Sequence, residues 1–175
     1  CCFIATNKIR MNKNIGKKRS LSIVVCCYNG ENTIKACLES LVAQKRDSIF
    51  IEVILVDDGS KDKTAEIIAT FLKENTTFEN LEFKYSRKQN GGLSIARNYG
   101  LSLSSNELIA YVDEDAVVDR DFSINVINAF KENPNVNCIG GTVELLNDTL
   151  ALPLLIQHTF FSIYTKSPVA VIGTN

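Results

Sequence analysis

No apolar run in this 175-residue chain approaches the roughly 20 residues that a membrane-crossing helix needs. LALPLLIQHTFFSIY comes nearest, and Pro153, Gln157 and His158 interrupt it. A basic surplus is missing too. Lys and Arg number 19 against 20 Asp and Glu, a formal net charge of −1, whereas a general nucleic-acid binder needs an excess of cations. No nucleic-acid partner is expected. The six cysteines (Cys1, Cys2, Cys26, Cys27, Cys37 and Cys138) form no C-x-x-C pair. They read as small buried hydrophobes of a reducing compartment, not as disulfides or metal ligands. The single histidine, His158, lies far from other ligand-type residues and reads as structural. Repeats and low-complexity segments are absent.

What is present suffices for one domain, since 45% of the residues are hydrophobic. Residues 1–20 mix Cys, Asn, Lys and Arg without periodicity, and are expected to form a basic flexible tail ending in IGKKRS. Met11 reads as the natural start, with the residues before it an upstream remainder. A tail of this kind could touch an acidic membrane surface, which makes peripheral membrane association an expectation. The reducing compartment places the chain in the cytoplasm, or at the cytoplasmic face of a membrane.

From Leu21 onward strand and helix patterns alternate. LSIVVCC and IEVILVD are continuous β-prone runs, as expected of strands buried on both faces. After YNGEN a helix is predicted, with Ile34, Cys37, Leu38, Leu41 and Val42 on one stripe. SKDKTAEIIATFLKEN predicts a second, capped by Ser60 or Asp62, with Ile67, Ile68, Phe71 and Leu72 inward. LEFKY is a shorter alternating strand, GGLSIARNYGLSL a helix entered through two glycines, and ELIAYVD a fourth strand. A helix over about Phe122 to Lys131 closes at ENPN, and VNCIGGTVELL predicts a strand bent by its glycine pair. The pattern implies an α/β domain, a mostly parallel central sheet with helices on both faces.

In such sheets ligands sit beyond the carboxyl ends of the strands. Tyr28 and Asn29 leave the first strand, Asp57 and Asp58 the second, and Asp113 and Asp115 the fourth. Each signal has a plain reading by itself. DDGSKDKT could be a turn with a helix cap, and DED could be a solvated loop. NGGLSIAR lacks the spacing of a dinucleotide turn or of a phosphate-binding loop. Yet Asp113, Glu114 and Asp115 repel one another, so either water screens them or a cation shares the site. A receiver domain is disfavoured, because its acid pair ends the first strand, and a nucleotidyltransferase would want a cation-bearing loop where CCYNGENT stands.

Four segments in order, VVCCYNGENTIKACLESLVAQ, VILVDDGSKDKTAEI, NGGLSIARNYGL and LIAYVDEDAVVD, resemble the motifs of family 2 glycosyltransferases over roughly Leu21 to Leu146. The resemblance implies the GT-A fold, a Rossmann-like nucleotide-binding half, and inverting sugar transfer from a nucleotide-sugar donor. A metal, Mg2+ or Mn2+, would assist. Polysaccharide biosynthesis is the implied setting. Asp115, the last acid of the D-x-D triplet, matches the position that holds the metal, and Asp113 the position near the ribose. Glu114, by strand alternation, is expected to point away. Asp58 matches the acid that accepts from the base ring, which favours uracil and hence a UDP-sugar. Tyr28 lies where a ring can stack on the base, and Cys26 where the family often has Ser or Thr near it. Arg97 is placed for the base or the diphosphate.

By the same resemblance 21–146 is the nucleotide-sugar-binding domain and 147–175 the incomplete start of an acceptor-side region. Inverting transfer needs a general base, and Asp148, the only acid after Glu144, precedes the acceptor region. No catalytic base is assigned. The chain is therefore expected to be the donor-binding part of a longer glycosyltransferase, acting on a glycan, lipid or protein acceptor. The alternative is a truncated, non-catalytic nucleotide-sugar-binding remnant.

Overall fold

A computed structural model describes residues 3–6, 19–46, 48–76, 78–134, 136–141 and 170–171. Asp148, His158 and nearly all of 147–175 lie outside the described residues, as does the tail over 7–18. Strands β1 (Phe3–Thr6), β2 (Arg19–Cys27), β3 (Ile49–Asp57), β4 (Leu81–Arg87), β5 (Leu108–Asp113), β6 (Cys138–Gly140) and β7 (Ala170–Val171) form one sheet in the order β4-β3-β2-β5-β1-β6-β7. The four strands β4, β3, β2 and β5 run parallel, and β1, β6 and β7 add antiparallel pairings at one side.

Both faces of the parallel core are covered, which is why its strands read as unbroken apolar runs. Leu21, Ile23, Val25 and Cys27 of β2 join Ile51, Val53 and Leu55 of β3 on one face. There they meet α1 (Ile34–Val42), α2 (Thr64–Glu74) and α4 (Phe122–Glu132) through Leu38, Leu41, Ile68, Val126 and Phe130. Val24, Cys26, Ile54 and Val56 point to the opposite face and meet α3 (Leu93–Leu103) through Ala96. That helix lies close because residue 100 is glycine: a Cβ there would sit 2.3 Å from Val24 Cγ1. At the start of α2, Asp62 Oδ1 accepts from the Thr64 N–H at 3.0 Å, so Asp62 rather than Ser60 serves that end. Among the described residues no helix is long and apolar enough to cross a membrane.

The expectation of a flexible tail over all of 1–20 is corrected at both ends. Phe3–Thr6 pairs with β5 and β6, and Arg19 and Ser20 already belong to β2. FIAT is short but β-prone, and the edge of β5 offers it a ladder of unpaired backbone groups. The strand expected in VNCIGGTVELL is observed as Cys138–Gly140, and its continuation past Gly141 lies outside the described residues.

Chain order along the parallel core places the site. From β2 the chain moves outward to β3 and β4, then returns to place β5 on the other side of β2. A crevice opens beyond the carboxyl ends where the order reverses. Register there puts Cys26 of β2 opposite Asp113 of β5.

Candidate functional site

Two loops leaving β2 and β3 are tied to each other before any ligand is considered. Asn29, with φ 57°, turns the first loop; a short polar side chain tolerates this left-handed conformation. Its N–H donates to Ser60 Oγ at 3.1 Å, and its Oδ1 accepts from the Lys61 N–H at 2.8 Å. Beside them the Gly30 N–H donates to Thr64 Oγ1 at 2.8 Å and the Glu31 N–H to Asp62 Oδ2 at 3.0 Å. The Lys63 N–H returns a bond to Glu31 Oε2 at 3.0 Å. These loops form one wall.

The adjacent acids of the second loop have separate tasks. Asp57 is fully buried and structural. Its Oδ1 accepts from the Ser60 N–H at 2.8 Å, and its Oδ2 meets Tyr85 Oη at 3.1 Å and Arg87 Nε at 3.2 Å. Asp58 faces the crevice and holds the loop that precedes α3. Its carboxylate accepts from the Lys88 ammonium, from the Gly91 N–H at 3.1 and 3.2 Å, and from the Gly92 N–H at 2.8 Å. Burial alone would raise the Asp58 carboxyl, but Lys88 and the two N–H groups hold it below the usual range. Gly59, at φ 78°, lets the loop backbone come this close, since a Cβ there would lie 2.9 Å from Asn90 N.

The third side of the crevice is the end of β5. Asp113 closes the strand, and the backbone then turns, with the Ala116 N–H donating to the Asp113 carbonyl at 3.0 Å. Asp115 is exposed at the mouth. Glu114 does not point away, and that expectation is corrected: it lines the crevice, and a Cβ on Gly30 would lie 2.9 Å from its Cγ. The reason is that side-chain alternation stops with the strand at Asp113. Burial raises the Glu114 carboxyl, and its neighbours Asp115 and Asp113 push the same way.

The resulting cavity has a volume of about 380 Å³. Of the residues singled out in the sequence, Cys26, Tyr28, Asp58, Asp113 and Asp115 all line it. Tyr28 is 43% exposed, so its ring lies on the cavity wall and is not packed beneath the loop. The Cys26 thiol is buried and pushed up to about 12, which keeps it protonated and inert as a metal ligand. Arg97 sits beside this wall and does not face the cavity as an open cation. Its guanidinium bonds Asp113 Oδ1 at 2.9 Å and lies 5.8 Å from the centre of the Tyr111 ring. Lys88, Asn90, Gly92, Leu93 and Glu114 take part in the cavity or its support, and the sequence reading had not assigned them. Lys88 was findable, because it leaves β4 at the same rim. Among the described residues no group of three His, Cys, Asp or Glu side chains could hold a metal ion unaided.

The family model for glycosyl transferase family 2 matches residues 22–172. Poly-beta-1,6-N-acetyl-D-glucosamine synthase of Staphylococcus aureus (strain MSSA476) is 30% identical over 156 residues, which cover 86% of this chain and 36% of that protein. The synthase of Staphylococcus epidermidis is 32% identical over 132 residues, covering 75% and 30%. The chain thus spans about a third of the length of these relatives. Among solved structures, S. aureus TarS 1-349 in complex with UDP-GlcNAc is similar, with TM-score 0.56 and 29% identity over 65% of this chain and 31% of that one. The fold also matches that of a Pyrobaculum calidifontis mannosyltransferase in complex with GDP-Man and Mn2+, at TM-score 0.61 and 24% identity over 76% and 38%. The motif order, the parallel core with its crevice at the reversal point and the match over 22–172 agree on one assignment: this chain belongs to glycosyl transferase family 2.

Proposed function

We propose that the crevice binds a uridine diphosphate sugar together with Mg2+ or Mn2+, as the donor half of an enzyme that transfers the sugar with inversion. One observation carries this reading. The Asp113–Asp115 turn faces Asp58 and Tyr28 across a single cavity, so an acidic diphosphate end and a base-sized end share one space. Asp58 is a fixed acceptor for the imide N–H of uracil, and Tyr28 offers an open ring on which the base can stack. Asp115 suits a hard cation of the Mg2+ type, which takes one or two carboxylates and completes its shell with phosphate oxygens and water. When bound, such a cation would act as Lewis acid on the diphosphate, whose charge grows as the sugar leaves. Asp113, next to Arg97, then lies toward the ribose. UDP-GlcNAc is the donor to try first, because TarS was solved with it and the staphylococcal synthases are named for N-acetylglucosamine polymers.

The test is a thermal melt of the chain with nucleotides. Ligand at 100 times its Kd adds about 2.7 kcal/mol, and at roughly 2–4 °C per kcal/mol for a domain of this size the rise is about 5–10 °C. UDP with Mn2+ should give this rise, and UDP with a chelator much less. Absence of any rise in a folded sample sinks the site. Equal rises with UDP and CDP sink the role of Asp58.

A further inference from the structure

We propose that Lys88 is a positioning residue that sets the nucleobase preference of the cavity by fixing which oxygen of Asp58 a base can reach; this rests on the nucleotide-binding reading above. An ionised carboxylate offers about four lone-pair sites. On Asp58 the Lys88 ammonium and the Gly91 N–H take Oδ1, and the Gly92 N–H takes Oδ2 at 2.8 Å, with Gly91 shared between the oxygens. What remains for a ligand is essentially one acceptor site, on Oδ2, at the cavity wall.

Lys88 is itself held in place. Its backbone N–H donates to the Asp57 carbonyl at 2.9 Å, its ammonium donates also to the Gln89 carbonyl at 2.6 Å, and its side chain is 19% exposed. The ammonium occupies space left by the missing side chain of residue 91, where a Cβ would lie 3.1 Å from Nζ. A carboxylate anchored this way is an acceptor with one direction. It pairs with the ring N–H of uracil and opposes cytosine, which presents a lone pair at the same ring position. If the ammonium is removed, Oδ1 keeps only the Gly91 N–H that it shares with Oδ2, and the carboxylate can turn or take a proton and become a donor. A proton on the carboxyl admits the ring lone pair of cytosine, and a turned carboxylate admits its exocyclic amino group.

The experiment is calorimetric titration of this chain with UDP and with CDP, each with Mn2+, for wild type, Lys88→Met and Lys88→Arg. Discrimination is read as the ratio of the CDP to the UDP dissociation constant. A charge-assisted bond of this kind carries a factor of about ten or more, so the ratio should fall roughly tenfold in Lys88→Met and largely return in Lys88→Arg. Gly91→Ala provides an independent route, because it displaces the ammonium without deleting it and should lower the ratio less. A lysine that only fastens the loop would weaken both nucleotides equally; an unchanged ratio in Lys88→Met and Gly91→Ala overturns the inference. Wild type that binds UDP and CDP alike overturns it as well. Wild type that binds neither overturns the site reading beneath it, a result distinct from the other two.

Discussion

Glu52 is a carboxylate in the middle of a buried strand, with 0% of its surface exposed. Ser22 Oγ reaches Oε2, the Ser105 N–H and hydroxyl bond it at 3.0 and 2.7 Å, and the Lys84 ammonium pairs with Oε1. Burial alone would raise its carboxyl, and these donors more than reverse that, bringing it from 4.5 down to about 2. At about 1.4 kcal/mol per pH unit the difference is worth roughly 3 kcal/mol. The folded value lies below the unfolded one, so this stability is fully present above pH 4.5 and is lost as pH falls from 4.5 toward 2. Glu52→Gln keeps the shape, removes the charge and turns an amide N–H₂ toward groups that donate. Urea melts of wild type and variant should therefore differ by about 3 kcal/mol at pH 7, and the gap should close as pH drops through 4 and 3. Comparing the two proteins cancels the other carboxylates that titrate in the same window. A gap that stays constant from pH 7 to pH 2.5, or one below about 1 kcal/mol at pH 7, would refute the assignment.

Gly100→Ala should destabilise despite improving helix propensity, because the gain of about 1 kcal/mol is set against a 2.3 Å contact with the stiff Val24 side chain. Overpacking of this kind costs about 1–3 kcal/mol, so a lower Tm is expected and a higher one would be wrong for this packing. Asp115→Asn should weaken UDP binding in Mn2+ far more than in chelator, since the amide lacks the charge that would face the proposed cation. Glu114→Gln should weaken binding less but measurably, because Glu114 lines the cavity beside Gly30. If Glu114→Gln leaves calorimetric affinity untouched, its position in the wall has no bearing on the ligand.

The fold was legible because its strands are buried on both faces and its helices carry one apolar stripe, and both patterns are local in sequence. The rim rule then gathered Tyr28, Asp58, Asp113 and Asp115 without any knowledge of contacts. What escaped depends on partners far apart in the chain. β1 has only four residues, too few for a period to emerge from the Cys-, Asn- and Lys-containing stretch around it. Glu52 carries no signal of its own within the β-prone run IEVILVD, because its donors come from Ser22, Lys84 and Ser105. The pairing of Arg97 with Asp113, sixteen positions away, is likewise invisible in the sequence, where Arg97 is expected at the base or the diphosphate. Glu114 was misdirected because the alternation rule was carried one residue past the end of its strand.

The five cross-bonds between the Asn29–Glu31 and Ser60–Thr64 loops have a consequence for how this family member can diverge or be redesigned. Surface loops ordinarily absorb insertions with little penalty. Here each loop is the template for the other, residue against residue, so one extra residue in either would slip the remaining pairs out of match. Asn29, at φ 57°, further restricts its position to Asn, Asp or Gly without strain. Chain length in both loops is thereby fixed jointly, and a single-loop insertion would need a matching change in its partner. A cavity adapted to a bulkier ligand must come from exchanging side chains such as Leu93 or Asn90, not from lengthening this wall.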